Sequence, residues 1–170
     1  VCIRNQESIE YLASLNLPQI HLIDKSSRGN GWIGKNHGVG RARKTAMDEA
    51  SAMSNPGDLI VSMDADTRYS PGFFNSLIVA AEKYPDAAGL SVPYYHPLTG
   101  DEMTDRCVLR YEIYMRNFAL NMLLINSPYA FSAIGSGMAC KASVYRRMGG
   151  LTPKMSGEDF YFMQKLRKSG

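Results

Sequence analysis

"LIVSMDADTRYSPGFF", residues 59–74, runs an apolar stretch into two aspartates one residue apart, then a turn, then a proline that opens a second apolar run. The pattern predicts a buried strand over "DLIVSM", a turn carrying Asp64 and Asp66, and a helix with Ser70 as N-cap and Pro71 in its first position. Phe74, Leu77, Ile78 and Ala81 would form that helix's inward face. Two carboxylates leaving a strand at i and i+2 can point to the same side, where their repulsion needs a cation or donors to offset it. A hard divalent ion bridged to phosphate oxygens is the common solution. The competing reading is a solvated turn in which Asp66 caps the following helix.

Outward from this stretch the chain alternates short apolar runs with amphipathic ones. Ile9, Leu12 and Leu15 predict a helix over 7–16, ended by Pro18, and "QIHLID" (19–24) reads as a buried strand closed by Asp24, with His21 in the core. Residues 26–40 hold Gly29, Gly31, Gly34, Gly38 and Gly40 without periodicity and read as a mobile loop. Ala42, Ala46, Ala50 and Met53 predict a helix over about 41–53. "AAGLSVPYY" (87–95) and "GSGMAC" (135–140) read as strands, "KASVYRRMGG" as a short helix, and "GEDFYFMQKLRKSG" as a last helix with Glu158 and Asp159 complementing its dipole. Between them Val108, Tyr111, Met115, Phe118, Met122 and Ile125 recur at steps of three and four, predicting a long core-packed helix over 104–125. A membrane-facing or partner-facing surface is the alternative for that stripe.

This alternation predicts an α/β fold with a mostly parallel sheet flanked by helices, in which ligands bind beyond the carboxyl ends of the strands. Asp24 and the Asp64/Asp66 pair both occupy such ends. At 170 residues, 45% hydrophobic and 21% charged, the chain suits a single domain. No run is long and apolar enough for a membrane span, and "VCIRNQESIEYL" lacks the zones of a signal peptide. A net charge of +3 from 19 basic and 16 acidic residues, with no like-charge run, argues against a nucleic-acid partner and for a mild pull on anionic ligands. Cys2, Cys107 and Cys140 are far apart and never form C-x-x-C, which fits reduced, buried thiols in a cytoplasmic compartment.

Two motif readings of residues 64–69 fail. An EF-hand loop needs an acid or Asn where Arg68 stands and Gly where Tyr69 stands. A haloacid dehalogenase-type phosphatase places its threonine two residues beyond the second aspartate, whereas Thr67 is adjacent to Asp66.

The chain resembles the family 2 glycosyltransferases of GT-A fold, which move a sugar from a nucleotide-sugar donor with inversion at the anomeric carbon. "QIHLIDKSS", "GVGRARKTAMDEA", "LIVSMDADTRYSPGFFNSL", "GSGMACKASVYRRMGGL" and "GEDFYFMQKLRKSG" occur in the family's order. The resemblance implies that Asp24 contacts the nucleotide base and that Arg43 and Asp64 serve the donor. It also implies that Asp66, with Asp64, holds Mn²⁺ or Mg²⁺, and that Asp159 is the catalytic base with Glu158 beside it. The donor would be a UDP- or GDP-sugar and the acceptor a saccharide or a lipid-linked hydroxyl, at the cytoplasmic face of a membrane with peripheral association. The glycine-rich segment itself has two readings: a lid in which Lys35 or Arg41 reaches the diphosphate and Trp32 covers base or sugar, or a disordered linker. Lys25, Lys44 and Lys141 depart from the family's usual residues. The chain opens on what resembles the tail of the family's first strand and stops before the strand that usually follows the last helix, so a single domain incomplete at both ends is expected. The alternatives are a sugar-1-phosphate nucleotidyltransferase, which would want a glycine-rich phosphate loop where residues 5–16 predict a helix, and a catalytically silent carbohydrate- or nucleotide-binding domain, which would be expected to lose one of Asp64, Asp66 or Asp159.

Overall fold

A computed structural model describes residues 2–34 and 37–170, the side chain of Cys2 excepted. The elements are α1 (Cys2–Ser14), α2 (Val39–Met53), β1 (Leu59–Ser62), α3 (Phe73–Lys83), β2 (Leu90–Ser91), α4 (Glu102–Leu124), β3 (Met138–Lys141), α5 (Ala142–Arg147) and α6 (Glu158–Arg167). The α/β class holds, but the sheet corrects the parallel expectation. Its order is β1-β3-β2, and β3 runs antiparallel to both neighbours, with Leu59 opposite Lys141, Ser62 opposite Met138 and Leu90 opposite Ala139. The unit β1–α3–β2 does return the chain in the same direction, as a helical crossover requires. The long excursion through α4 then brings β3 back between its two strands, reversed.

β3 is the centre of the core. Met138, Ala139 and Cys140 are buried on both faces, because Met47 of α2, Ala142, Val144 and Tyr145 of α5, and Phe162, Met163 and Leu166 of α6 close around them with Ile60, Ala88 and Leu151. Such two-sided burial explains an apolar run without alternation. Burial pushes the Cys140 thiol up to about 12, whereas Cys107 is exposed on α4, against the expectation of uniformly buried thiols.

Three further expectations are corrected. "QIHLID" forms no strand, and His21, Ile20 and Leu22 are exposed. A strand needs a ladder partner for its N–H and C=O groups, and the sheet pairs this segment with nothing among the described residues. In α4, Tyr111 and Phe118 are exposed, as is Ile125 just beyond its end, and no residue of the helix is fully buried. The half-covered side is a narrow stripe of Asp105, Val108, Glu112, Met115, Ala119 and Met122, so half of the apolar repeat faces inward and half does not. The helix start itself follows local rules: the Asp101 carboxylate accepts the Thr104 N–H at 2.8 Å. Finally, α3 begins at Phe73 after Gly72 rather than at Pro71, and only Leu77 of its expected inward face is buried, with Phe74 and Ile78 exposed and Ala81 half-buried. Among the described residues no helix is long and apolar enough to cross a membrane.

Candidate functional site

The chain leaves β1 at buried Ser62 and turns at once, the Thr67 N–H donating to the Asp64 carbonyl at 3.2 Å. Three hydroxyls pin this turn. The Asp64 N–H points at Tyr69 Oη (3.2 Å) and Ser136 Oγ (3.3 Å), Tyr69 Oη and Ser136 Oγ share a hydrogen bond of 2.5 Å, and Ser136 Oγ donates to Thr67 Oγ1 at 2.8 Å. The turn after β1 is thereby tied to the segment that leads into β3. Asp64 is left half-exposed and Asp66 exposed, and both line a cleft of about 820 Å³ between α2 and β1, walled by Ala42, Ala46, Met47 and Val61.

Arg43 enters the same cleft from α2. Its side chain is 8% exposed, with Nη2 lying 3.1 Å from Asp64 Oδ1 and Nε 3.3 Å from Glu158 Oε1, itself 5% exposed. Nη1 donates to Ser62 Oγ and the Gly135 carbonyl. One guanidinium therefore joins α2, the end of β1, the approach to β3 and the first turn of α6. Gly135 makes the approach feasible, since a Cβ there would overlap Arg43 Nη2. Asp159, next to Glu158, is half-buried, and its Oδ1 accepts the Phe160 N–H at 2.7 Å.

Asp24 and Trp32 belong elsewhere. They line a second cleft of about 420 Å³ with Asn5, Ser8 and Ile9 of α1. Asp24 accepts the N–H groups of Ser26 (2.9 Å) and Ser27 (3.0 Å) on Oδ1 and the Asn30 side-chain amide (3.0 Å) on Oδ2. These bonds, led by Ser27, hold its carboxyl well below the usual carboxylate range. Ala42 and Ala46 of α2 line both clefts, so the two sites flank one helix face. Lys35 lies outside the described residues. Arg41 Nε is buried without a hydrogen-bond partner among them, a cationic donor that burial leaves costly unless a ligand or water meets it.

The sequence signalled the carboxylates but not their supports. Ser62 and Tyr69 lie in the block around Asp64, and Gly135 and Ser136 open the block that leads into β3, but no role was read for any of the four. Among the described residues no three His, Cys, Asp or Glu side chains converge as a self-sufficient metal cage. Two carboxylates do suit a hard cation that completes its shell with phosphate oxygens. The charge balance agrees: Arg43 offsets one charge of the Asp64 and Glu158 pair, and Asp66 enters no ion pair among the described residues.

The turn beyond β1 carries two carboxylates, and a buried arginine joins one of them, Asp64, to the acidic start of α6. The comparison with family models names the family: residues 59–170, more than half of the chain, match Glycosyl transferase family group 2, and the chain belongs to that family. The match spans the β1 turn through α6 and leaves Asp24, Trp32 and Arg43 outside it. No curated protein and no solved structure matches the chain.

Proposed function

We propose that this glycosyltransferase is an inverting enzyme of GT-A type that moves a sugar from a UDP- or GDP-sugar to an acceptor hydroxyl. The observation that carries the reading is the Arg43 bridge, which brings the Asp64/Asp66 turn and the Glu158/Asp159 helix start together although they are far apart in the chain. In the displacement the acceptor oxygen bonds to the anomeric carbon as the bond from that carbon to the leaving diphosphate oxygen breaks. Asp159 takes the acceptor proton, a role that contributes about 10²–10⁴-fold in rate. Its hydrogen bond from the Phe160 N–H orients one carboxylate oxygen and leaves the other for the acceptor. Asp66 and Asp64 would hold Mn²⁺ or Mg²⁺, which when bound neutralises charge on the leaving diphosphate. Asp24 and Trp32 place the nucleotide across the Ala42/Ala46 face. The acceptor is a saccharide or a lipid-linked hydroxyl, met at the cytoplasmic side of a membrane.

Calorimetric titration with UDP and with GDP, each with and without Mn²⁺, tests donor and cation together. Binding that needs Mn²⁺ and weakens at least about tenfold in Asp66→Ala is expected, because the carboxylate and the diphosphate share one cation. Asp159→Asn keeps shape and donor contacts but accepts no proton, so kcat falls about 10²-fold while donor affinity holds. Mn²⁺-independent binding with unaltered affinity in Asp66→Ala removes the cation, and normal turnover in Asp159→Asn removes the base.

A further inference from the structure

Arg43 stands where a donor-binding arginine was expected, yet its side chain is directed inward. Nε, Nη1 and Nη2 are all engaged by Glu158, Ser62, Gly135 and Asp64, and Nη1 serves two acceptors. Of the five N–H donors of a guanidinium, three make hydrogen bonds here, and the remaining nitrogen, Nη2, is ion-paired with Asp64 on a side chain that is 8% exposed. Little remains to offer a diphosphate. Glu158 is more dependent still. It is buried on the first turn of α6, and Arg43 is its hydrogen-bonding and ionic partner among the described residues.

We propose that Arg43 is a positioning residue: it sets the Asp64 carboxylate at the turn and, through Glu158, fixes the α6 start from which Asp159 projects. The proposal rests on the roles of Asp64 and Asp159 given above. A buried carboxylate that loses its partner must reach water or take up a proton. Glu158 can reach water if the first turn of α6 rotates or frays, and Asp159, the next residue, moves with it. The fork matters as much as the charge. A planar guanidinium meets two carboxylates from different elements at fixed angles, whereas an ammonium is a point charge that can favour one of them. Gly135 is the matching adaptation on the other side, a residue with no side chain where Nη2 passes.

The test uses Arg43→Met, Arg43→Lys, Glu158→Gln and the Arg43→Met/Glu158→Gln double variant. Mn²⁺-dependent hydrolysis of UDP-glucose, UDP-N-acetylglucosamine and GDP-mannose is measured beside backbone amide spectra. Arg43→Met should lose at least about tenfold in kcat with the donor KM changed less than about threefold, since small misplacements of a catalytic group cost rate more than binding. Arg43→Lys should regain part of that loss. The double variant should turn over faster than Arg43→Met, because the uncharged amide introduced by Glu158→Gln no longer drives the helix start open. Amides at 64–67 and at 159–161 should shift together in Arg43→Met, and those at 159–161 should return in the double variant. A raised KM with unchanged kcat would make Arg43 a donor contact and overturn the proposal, as would a double variant whose losses simply add. If the wild-type chain hydrolyses none of the three donors, the functional reading fails on its own. The amide shifts still decide the bridge, and amides at either site that stay unmoved in Arg43→Met overturn it.

Discussion

Asp24 is held by Ser26, Ser27 and Asn30, all within six residues of it, whereas Asp64 adds to the nearby Tyr69 hydroxyl two distant partners, Arg43 from α2 and the Ser136 hydroxyl on the far side of α4 in the chain. Both aspartates follow an apolar run. The first closes its own turn and needs little from the fold, as Asx turns do. The second exists as a site only when four separate segments have met. The distant partners of Asp64 therefore make its geometry a readout of tertiary structure, while the geometry of Asp24 is a readout of local sequence.

The strongest way to break this contrast is Gly135→Ala. Gly135 does not have a positive φ, so the backbone accepts alanine, and the effect isolates the clash of Cβ with Arg43 Nη2. Displacing the guanidinium unpairs Asp64 and buried Glu158 at once, and a loss of about 2–4 kcal/mol is expected in denaturant unfolding. An unchanged midpoint would show that the Arg43 bridge does not organise the site.

Asp24→Asn sharpens the contrast from the local side. Hydrogen exchange should quicken at Ser26 and Ser27 and stay unchanged at 64–67 and 159–161, with a smaller fall in stability than Gly135→Ala gives. The pH dependence has a defined sign. Because the Ser27 and Ser26 hydrogen bonds, with Asn30, depress the folded carboxyl, the turn's contribution is fully present above the ordinary carboxylate range near about pH 4. It is lost as pH falls through the lower folded value. Acid titration followed by carboxyl NMR should find Asp24 still ionised when exposed carboxylates have protonated. Titration of Asp24 alongside them would mean that the turn opens first.

The smallest effect is expected on α4. Ile125 is 72% exposed at the helix end, so Ile125→Ser should change stability by less than about 0.5 kcal/mol. Met115→Ser, on the half-buried stripe, should cost more. Equal, large losses from both would restore the broad core-packed face that the repeat of apolar residues suggested.

What the sequence determined by itself is what short-range physics determines. The strand–turn–helix order around Asp64, the apolar run of β3, the acidic start of α6 and the spans of α2, α4 and α5 to within a few residues all follow from periodicity, caps and punctuation. These are energies between neighbours in the chain, and they are the same in any fold. Tertiary structure decided the rest. A 3.6-residue repeat says that α4 has an apolar stripe but not how much of it meets another surface, and "QIHLID" has a strand's composition but no strand to pair with among the described residues. That β3 returns antiparallel between β1 and β2, and that Arg43 joins Asp64 to Glu158, depend on which segments arrive beside one another. The pairing of a buried charge is settled by desolvation at the place where it ends up, and no residue carries that place in its immediate neighbours.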